Sequence, residues 1–211
     1  MKKRKFCIAL GLLAALALWT IAIQWIDVQS IGPRGSAVGF ATLNGFVHNL
    51  TGTHKTLYVI TDWLGLVPVV LVFGFAFLGL AQWIKRKSIL NVDRSILILG
   101  AFYIVTLTAY LFFESYVINY RPVLIAGFLE ASYPSSTTLL VLCVMPTAMM
   151  QLRGRIKNHA LRKAVTSAIT SFIVFMVAGR LVSGVHWLTD IIGGILLSAG
   201  LVMIYDSLIG G

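Results

Sequence analysis

The stretch FCIALGLLAALALWTIAIQWI, Phe6–Ile26, decides the fold. It carries no charged residue, and a helix of this length matches the ~30 Å hydrocarbon core of a bilayer. A backbone at that depth finds no water, so each N–H and C=O has to be satisfied within the segment, as an α-helix does. The strict apolar/polar alternation of a membrane barrel strand is absent. The basic cluster Lys2–Lys5 ahead of the run would suit a secretory signal. The run is long for one, however, and no small-residue cleavage site follows it, so an uncleaved first helix is expected.

Five more runs follow: Leu57–Ile84, Ser95–Val117, Ser136–Leu152, Ala164–Val182 and Trp187–Leu208. They predict an all-α, polytopic transmembrane bundle of about six helices, forming one domain over residues 1–211. The composition agrees, since 58% of residues are hydrophobic and 11% charged, against about a quarter charged in soluble domains. A formal charge of +10 raises the question of nucleic acid. The basic residues cluster between apolar runs and are not interleaved with stacking aromatics, so no nucleic-acid partner is expected. Cys7 and Cys143 both fall inside apolar runs, which argues for packing residues and against a disulfide framework.

Lys and Arg set the orientation. Of the 17 basic residues, 13 lie in Lys2–Lys5, Lys85–Arg94 and Arg153–Lys163, and the alternate loops hold only Arg34, Lys55, Arg121 and Arg180. The positive-inside rule then puts both termini in the cytoplasm. Asp27, Asp62, Glu114, Glu130 and Asp190 gather at or near the outer face, and ionisable groups near membrane depth are functional candidates. The first outer loop, about Val28 to Thr56, is glycine-rich. Val38, Leu43, Phe46, Val47 and Leu50 recur in it with roughly helical spacing, so Ala37–Leu50 is expected to form a short interfacial helix over the outer mouth. His48 and His54 are six residues apart, which is not the spacing of a helical metal pair. Both read as surface histidines, and neither a metal nor a cofactor is expected.

Three outer segments carry the chemistry. Arg121-Pro122 follows the third run, Tyr133-Pro134-Ser135-Ser136-Thr137 opens the fourth, and Arg180, His186 and Asp190 straddle the junction of the last two. Each alone has a bland reading as a snorkelling cation, a helix cap or an interfacial residue. All three fall on one side under a topology taken from Lys and Arg alone. Two guanidiniums offer fork-shaped donors for a phosphate dianion, and a helix opening at Ser135 and Ser136 offers free N–H groups. His186 is a candidate nucleophile, and Asp190, four residues on, is placed to fix its tautomer.

The pattern Arg-x5-His-x3-Asp, with Arg121-Pro122 and Pro134-Ser135-Ser136 upstream in order, resembles the three signature motifs of the type 2 phosphatidic acid phosphatases. That resemblance implies a phosphohistidine on His186, oriented by Asp190, with Arg121 and Arg180 binding phosphate and no metal. It implies a lipid phosphate as the partner within a membrane, and the charge bias suits a bacterial cytoplasmic membrane with the site facing outward. Three positions depart from the family: Glu114 stands in place of a lysine, Thr137 in place of the proton-donating histidine, and Gly179 in place of a serine. Glu114 and Glu130 are the substitute donors on offer. The readings left open are a lipid mono- or diphosphatase favouring a polyprenyl diphosphate, a catalytically silent relative that binds or translocates lipid phosphates, and a phosphoryl transferase with an acceptor other than water.

Overall fold

The computed structural model describes residues 2–210; the end residues Met1 and Gly211 of the expected domain lie outside them. The described residues form eight α-helices: α1 (Lys2–Trp25), α2 (Ala41–Thr51), α3 (Lys55–Leu64), α4 (Leu66–Arg86), α5 (Arg94–Ser115), α6 (Ser136–Arg155), α7 (His159–Val182) and α8 (Leu188–Ile209). Gly65 keeps helical dihedrals, so α3 runs into α4 and the two make one apolar rod, Lys55–Arg86. Among the described residues, five segments are long and apolar enough to cross a membrane: α1, the α3–α4 rod, α5, α7 and α8. The protein is an integral membrane protein.

The sixth expected span, Ser136–Leu152, is helical but is not among those five. Ser136, Thr137, Thr138, Thr147, Gln151 and Arg153 dilute its hydropathy. It tolerates them because α4, α5, α7 and α8 pack around it, and Val141, Cys143, Val144 and Ala148 on it are fully enclosed. Polar side chains at membrane depth survive where protein, and not lipid, surrounds them. Thr147 satisfies itself on the Cys143 carbonyl, and Gln151 donates to the Tyr205 hydroxyl at 2.5 Å.

The most extensive helix pairing is α1 with α8, where Gly200 faces Leu13. A Cβ there would meet Leu13 Cδ2 at 2.7 Å, so the absence of one makes room for the Leu13 side chain between the two helices. Lys5 pairs with Asp206 at 2.5 Å, which joins the start of α1 to the end of α8. At the same end Asp93 receives Arg86 at 2.9 Å and faces Arg155 at 3.8 Å. The three basic clusters therefore share one end of the bundle. Cys7 is exposed on α1 and Cys143 is buried in α6, both as free thiols.

At the opposite end α2 packs against α8; a helix forms in this loop, over Ala41–Thr51 where the spacing predicts Ala37–Leu50. Its N-cap residue Phe40 supplies no side-chain oxygen; Asp27 serves instead, accepting the Thr42 N–H at 2.7 Å. Asn44 fastens α2 to α8 by donating to Thr189 Oγ1 at 3.0 Å and accepting the Thr189 N–H at 3.2 Å. His54 is exposed as expected, but His48 is half-buried, its ring tilted against Trp187 at 5.5 Å.

Candidate active site

Three chain segments meet at the α2 end of the bundle. The first is a hairpin-like loop between α5 and α6. In it the Arg121 N–H donates to the Glu130 carbonyl at 3.1 Å and the Ser132 N–H to the Asn119 carbonyl at 2.9 Å. These two bonds set Asn119, Arg121, Glu130 and Ser132 side by side. The second segment is the start of α6, where Ser135 is the N-cap and accepts the Thr138 N–H at 3.5 Å. The third is the α7–α8 turn. Gly184 sits there at φ +68°, with space for no Cβ because the Gly52 carbonyl oxygen would lie 1.9 Å away. Only glycine takes both the left-handed backbone and that contact, and His186 follows two residues on.

His186 is the centre of the arrangement and is buried. Its Nε2 lies 3.1 Å from Arg180 Nη2 and 3.4 Å from Arg121 Nη1. Guanidinium groups only donate, so Nε2 presents its lone pair to them and the neutral ring carries its proton on Nδ1. Nδ1 sits 3.1 Å from Ser132 Oγ. Burial, with Arg121 and Arg180 beside it, pushes the imidazole well below its usual pKa, so the ring stays neutral and its free nitrogen stays available.

The two arginines are held from behind. Arg180 is buried, its guanidinium carbon 5.1 Å from the Tyr58 ring centroid, with Nη1 3.5 Å from Thr61 Oγ1 and 3.7 Å from Asp62 Oδ1. Arg121 Nε lies 3.1 Å from Glu130 Oε2, near enough for an ion pair but not aligned as a hydrogen bond. Nε of both arginines is buried without a hydrogen-bond partner. Two adjacent buried cations with unsatisfied donors are costly on their own and become favourable once a dianion sits between them.

Asp190 reaches His186 only indirectly. It is the third residue of α8 and accepts the Trp187 N–H at 2.8 Å, the Ser132 hydroxyl at 2.5 Å and Asn119 Nδ2 at 3.4 Å. Its Oδ2 is 3.8 Å from His186 Nδ1, beyond hydrogen-bond range, so the direct bond expected from the four-residue spacing is replaced by a hydroxyl between them. The spacing presumes that His186 starts the helix, whereas α8 begins at Leu188.

The other expected residues separate. Glu114, Ser136 and His186 line one small pocket with Tyr110 and Ser132. Ser135 is fully buried, its hydroxyl taken by Thr138, so it shapes the helix start and does not face that pocket. Thr137 turns away to line a long groove of about 1170 Å³ between α4 and α5, floored by Leu139, Leu140 and Val144 of α6. That groove begins at Asp62, Ser136 and Thr137 and continues to Trp83 and Ile89 near the other end of the bundle. Gly179 has a packing reason, because a Cβ there would meet Thr61 Cγ2 at 2.8 Å. The sequence reading missed Ser132, Asn119, Tyr58 and Thr61, which stand far from their partners along the chain and in no motif of regular spacing. No cluster of His, Cys, Asp and Glu suited to a metal occurs among the described residues.

These features define a class: an integral membrane protein whose helix bundle carries, at one end, a buried imidazole facing two guanidiniums. The chain belongs to the PAP2 superfamily, whose sequence pattern matches residues 100–208, more than half its length. Its fold is similar to the crystal structure of the first transmembrane PAP2 type phosphatidylglycerolphosphate phosphatase from Bacillus subtilis. The TM-score is 0.61 at 16% sequence identity, over 94% of this chain and 93% of that one. No curated protein matches its sequence.

Proposed function

We propose that this protein is a membrane lipid phosphatase that hydrolyses a lipid mono- or diphosphate through a phosphohistidine on His186. The observation that carries this reading is the lone pair of His186 Nε2 aimed between Arg121 and Arg180 in a buried pocket. Nε2 attacks phosphorus, the bond to the leaving oxygen breaks, and the guanidiniums hold the charge on the phosphoryl oxygens. Water then releases phosphate and restores the ring. The groove between α4 and α5, lined almost wholly by apolar side chains and meeting the site at Ser136, suits the chain of a lipid whose phosphate lies at His186.

The favoured substrate is a polyprenyl diphosphate, and the site faces outward from a bacterial cytoplasmic membrane. Thr137 supplies no acid for an alkoxide leaving group, whereas a phosphate monoester leaves a diphosphate readily as an anion. Glu114 is the better substitute donor because it lines the same pocket as His186, while Glu130 is engaged with Arg121. The outward orientation rests on the gathering of the basic clusters at the far end of the bundle.

The test is phosphate release by the purified protein from phosphatidic acid, phosphatidylglycerol phosphate and polyprenyl diphosphate, against His186→Ala. Wild-type release should exceed the variant's by at least roughly 10³-fold, fastest with the diphosphate. Equal release by both proteins refutes the enzyme reading. The second reading, a silent phosphate-lipid binder, is favoured by Glu114 and Thr137 and would appear as lipid binding without release. Thr137→His should raise the phosphatidic acid rate more than the diphosphate rate, and Glu114→Gln should depress the former more.

A further inference from the structure

Ser132 stands between the two groups whose direct contact is missing. It is 2% exposed, and its Oγ is 3.1 Å from His186 Nδ1 and 2.5 Å from Asp190 Oδ2. We propose that Ser132 is a positioning residue that carries a chain of hydrogen bonds from His186 Nδ1–H through its own hydroxyl to Asp190, so that the carboxylate holds the ring of the nucleophile and supports its charge at second hand.

The direction of the chain follows from its two ends. At Nε2 the neighbours are guanidiniums, which cannot accept, so the single proton of the neutral imidazole resides on Nδ1. Nδ1 therefore donates and Ser132 Oγ accepts. The one proton of the hydroxyl is then free to point to Asp190, whose Oδ2 also accepts the Trp187 N–H at 2.8 Å. The opposite arrangement, with the hydroxyl donating to Nδ1, would put the ring proton on Nε2 against two cations.

Neither neighbour can close the gap by itself. Asp190 is tied to the first turn of α8 by the Trp187 N–H and to the α5–α6 loop by Asn119 at 3.4 Å. His186 is fixed by the glycine turn at Gly184 and by Arg180. Ser132 is anchored through its own N–H on the Asn119 carbonyl at 2.9 Å, so the hydroxyl is part of the loop's hairpin and does not depend on a mobile rotamer alone.

The inference deepens the phosphatase reading, and its kinetic consequence rests on that reading. When Nε2 forms its bond to phosphorus, the P–O bond to the leaving group breaks with its electron pair and the ring becomes an imidazolium. Nδ1 keeps its proton, and the negative charge of Asp190 is felt through the hydroxyl. When water attacks phosphorus, the P–N pair returns to Nε2, both protons of the water leave with the phosphate, and the chain is as it was. Ser132 exchanges no bond to phosphorus; it holds the ring in place and passes the carboxylate's charge to Nδ1–H.

Two measurements test this, one independent of turnover. Nitrogen and proton NMR of isotope-labelled histidine in the detergent-solubilised protein, with His186→Ala to assign the signal, should find His186 as the Nδ1–H tautomer in the wild type, with an Nδ1–H proton signal that moves upfield in Ser132→Ala as the hydroxyl acceptor is lost. An Nε2–H tautomer in the wild type, or an Nδ1–H signal unmoved in Ser132→Ala, overturns the proposal whatever the protein's activity. In the kinetic arm Ser132→Ala should lower kcat by about 10–100-fold, and Ser132→Thr, which keeps the hydroxyl, should restore most of it. Vanadate affinity should change by less than about 3-fold, because no phosphate contact is removed. Asp190→Asn should then cost little more in the Ser132→Ala background than Ser132→Ala alone, the non-additivity of two members of one chain. Full additivity, or a loss of vanadate affinity equal to the loss of kcat, would make Ser132 a packing residue. Absence of any phosphate release by the wild type would remove the phosphatase reading and leave the NMR result to judge the hydrogen-bond chain.

Discussion

At the residue scale, His186 joins an uncharged ring to a strongly cationic surrounding, and pH should expose this. Its folded pKa lies well below the ordinary value of 6.5, through burial first and then Arg121 and Arg180. The unfolded chain takes up a proton at this position as pH falls through about 6.5, while the folded protein does not. The stability that His186 contributes is thus present above that pH and lost below it. Melting curves between pH 8 and 5 should therefore show a shallower acid loss for His186→Gln than for the wild type. The arginines predict a separate outcome. Truncating either one leaves the other donor set without its partner anion geometry, and Arg121→Ala or Arg180→Ala should weaken vanadate binding by about 2–5 kcal/mol. Calorimetric titration checks this, and unchanged affinity in both variants would remove the phosphate site.

At the element scale, the site depends on how helices begin. The α2 helix has no capping side chain at Phe40 and takes Asp27 instead, a residue brought back by the preceding loop. The bonds from Thr42 and Gln29 hold the Asp27 carboxyl below its ordinary pKa of 3.8, so the cap persists above that value and is lost as pH falls beneath it. Asp27→Ala should speed hydrogen exchange at the first amides of α2 at neutral pH and leave α5 unaffected. The start of α8 depends on close packing in a different way. A Cβ on Gly193 would lie 2.4 Å from Tyr133 Cε2, and Tyr133 is nearly fully buried next to Ser132. Gly193→Ala should displace that ring, destabilise the protein by about 1–3 kcal/mol and lower activity more than its distance from phosphate would suggest. Thermal melting and phosphate release together check it.

At the scale of the whole molecule, charge and apolar surface divide the bundle into two ends. Reporters fused at the C-terminus and in the Lys85–Arg94 loop should report cytoplasm, and one in the Gly32–Lys55 loop the outside; an external signal from Arg153–Lys163 would reverse the orientation. The groove between α4 and α5 gives a second outcome at this scale. Gly100 lines it and a Cβ there would meet nothing within 4 Å, so Gly100→Phe should fold normally and project into the groove. The rate with a long polyprenyl diphosphate should then fall by more than about 10-fold while a short-chain analogue is barely affected, as expected when a substrate's remote chain supplies binding energy. Equal effects on both would separate the groove from substrate binding.

By itself the sequence determined that Phe6–Ile26 and its fellow runs are membrane helices, because a bilayer allows only backbones that satisfy themselves and only segments of a certain length. It also determined that Arg121, Arg180, His186 and Asp190 share one end, because charge sorting and helix direction are local properties that add along the chain. Tertiary structure alone decided that α6 is the enclosed helix, since its Thr and Gln content is tolerable only once four neighbours surround it. It alone set Ser132 between His186 and Asp190, residues 54 and 58 positions away, through a hairpin whose hydrogen bonds leave no periodic mark. It alone turned Thr137 to the groove and Glu114 to the pocket. A spacing of four fixes a shared helix face only when both residues are in the helix, and whether His186 is depends on a turn made by Gly184 against Gly52, across the fold.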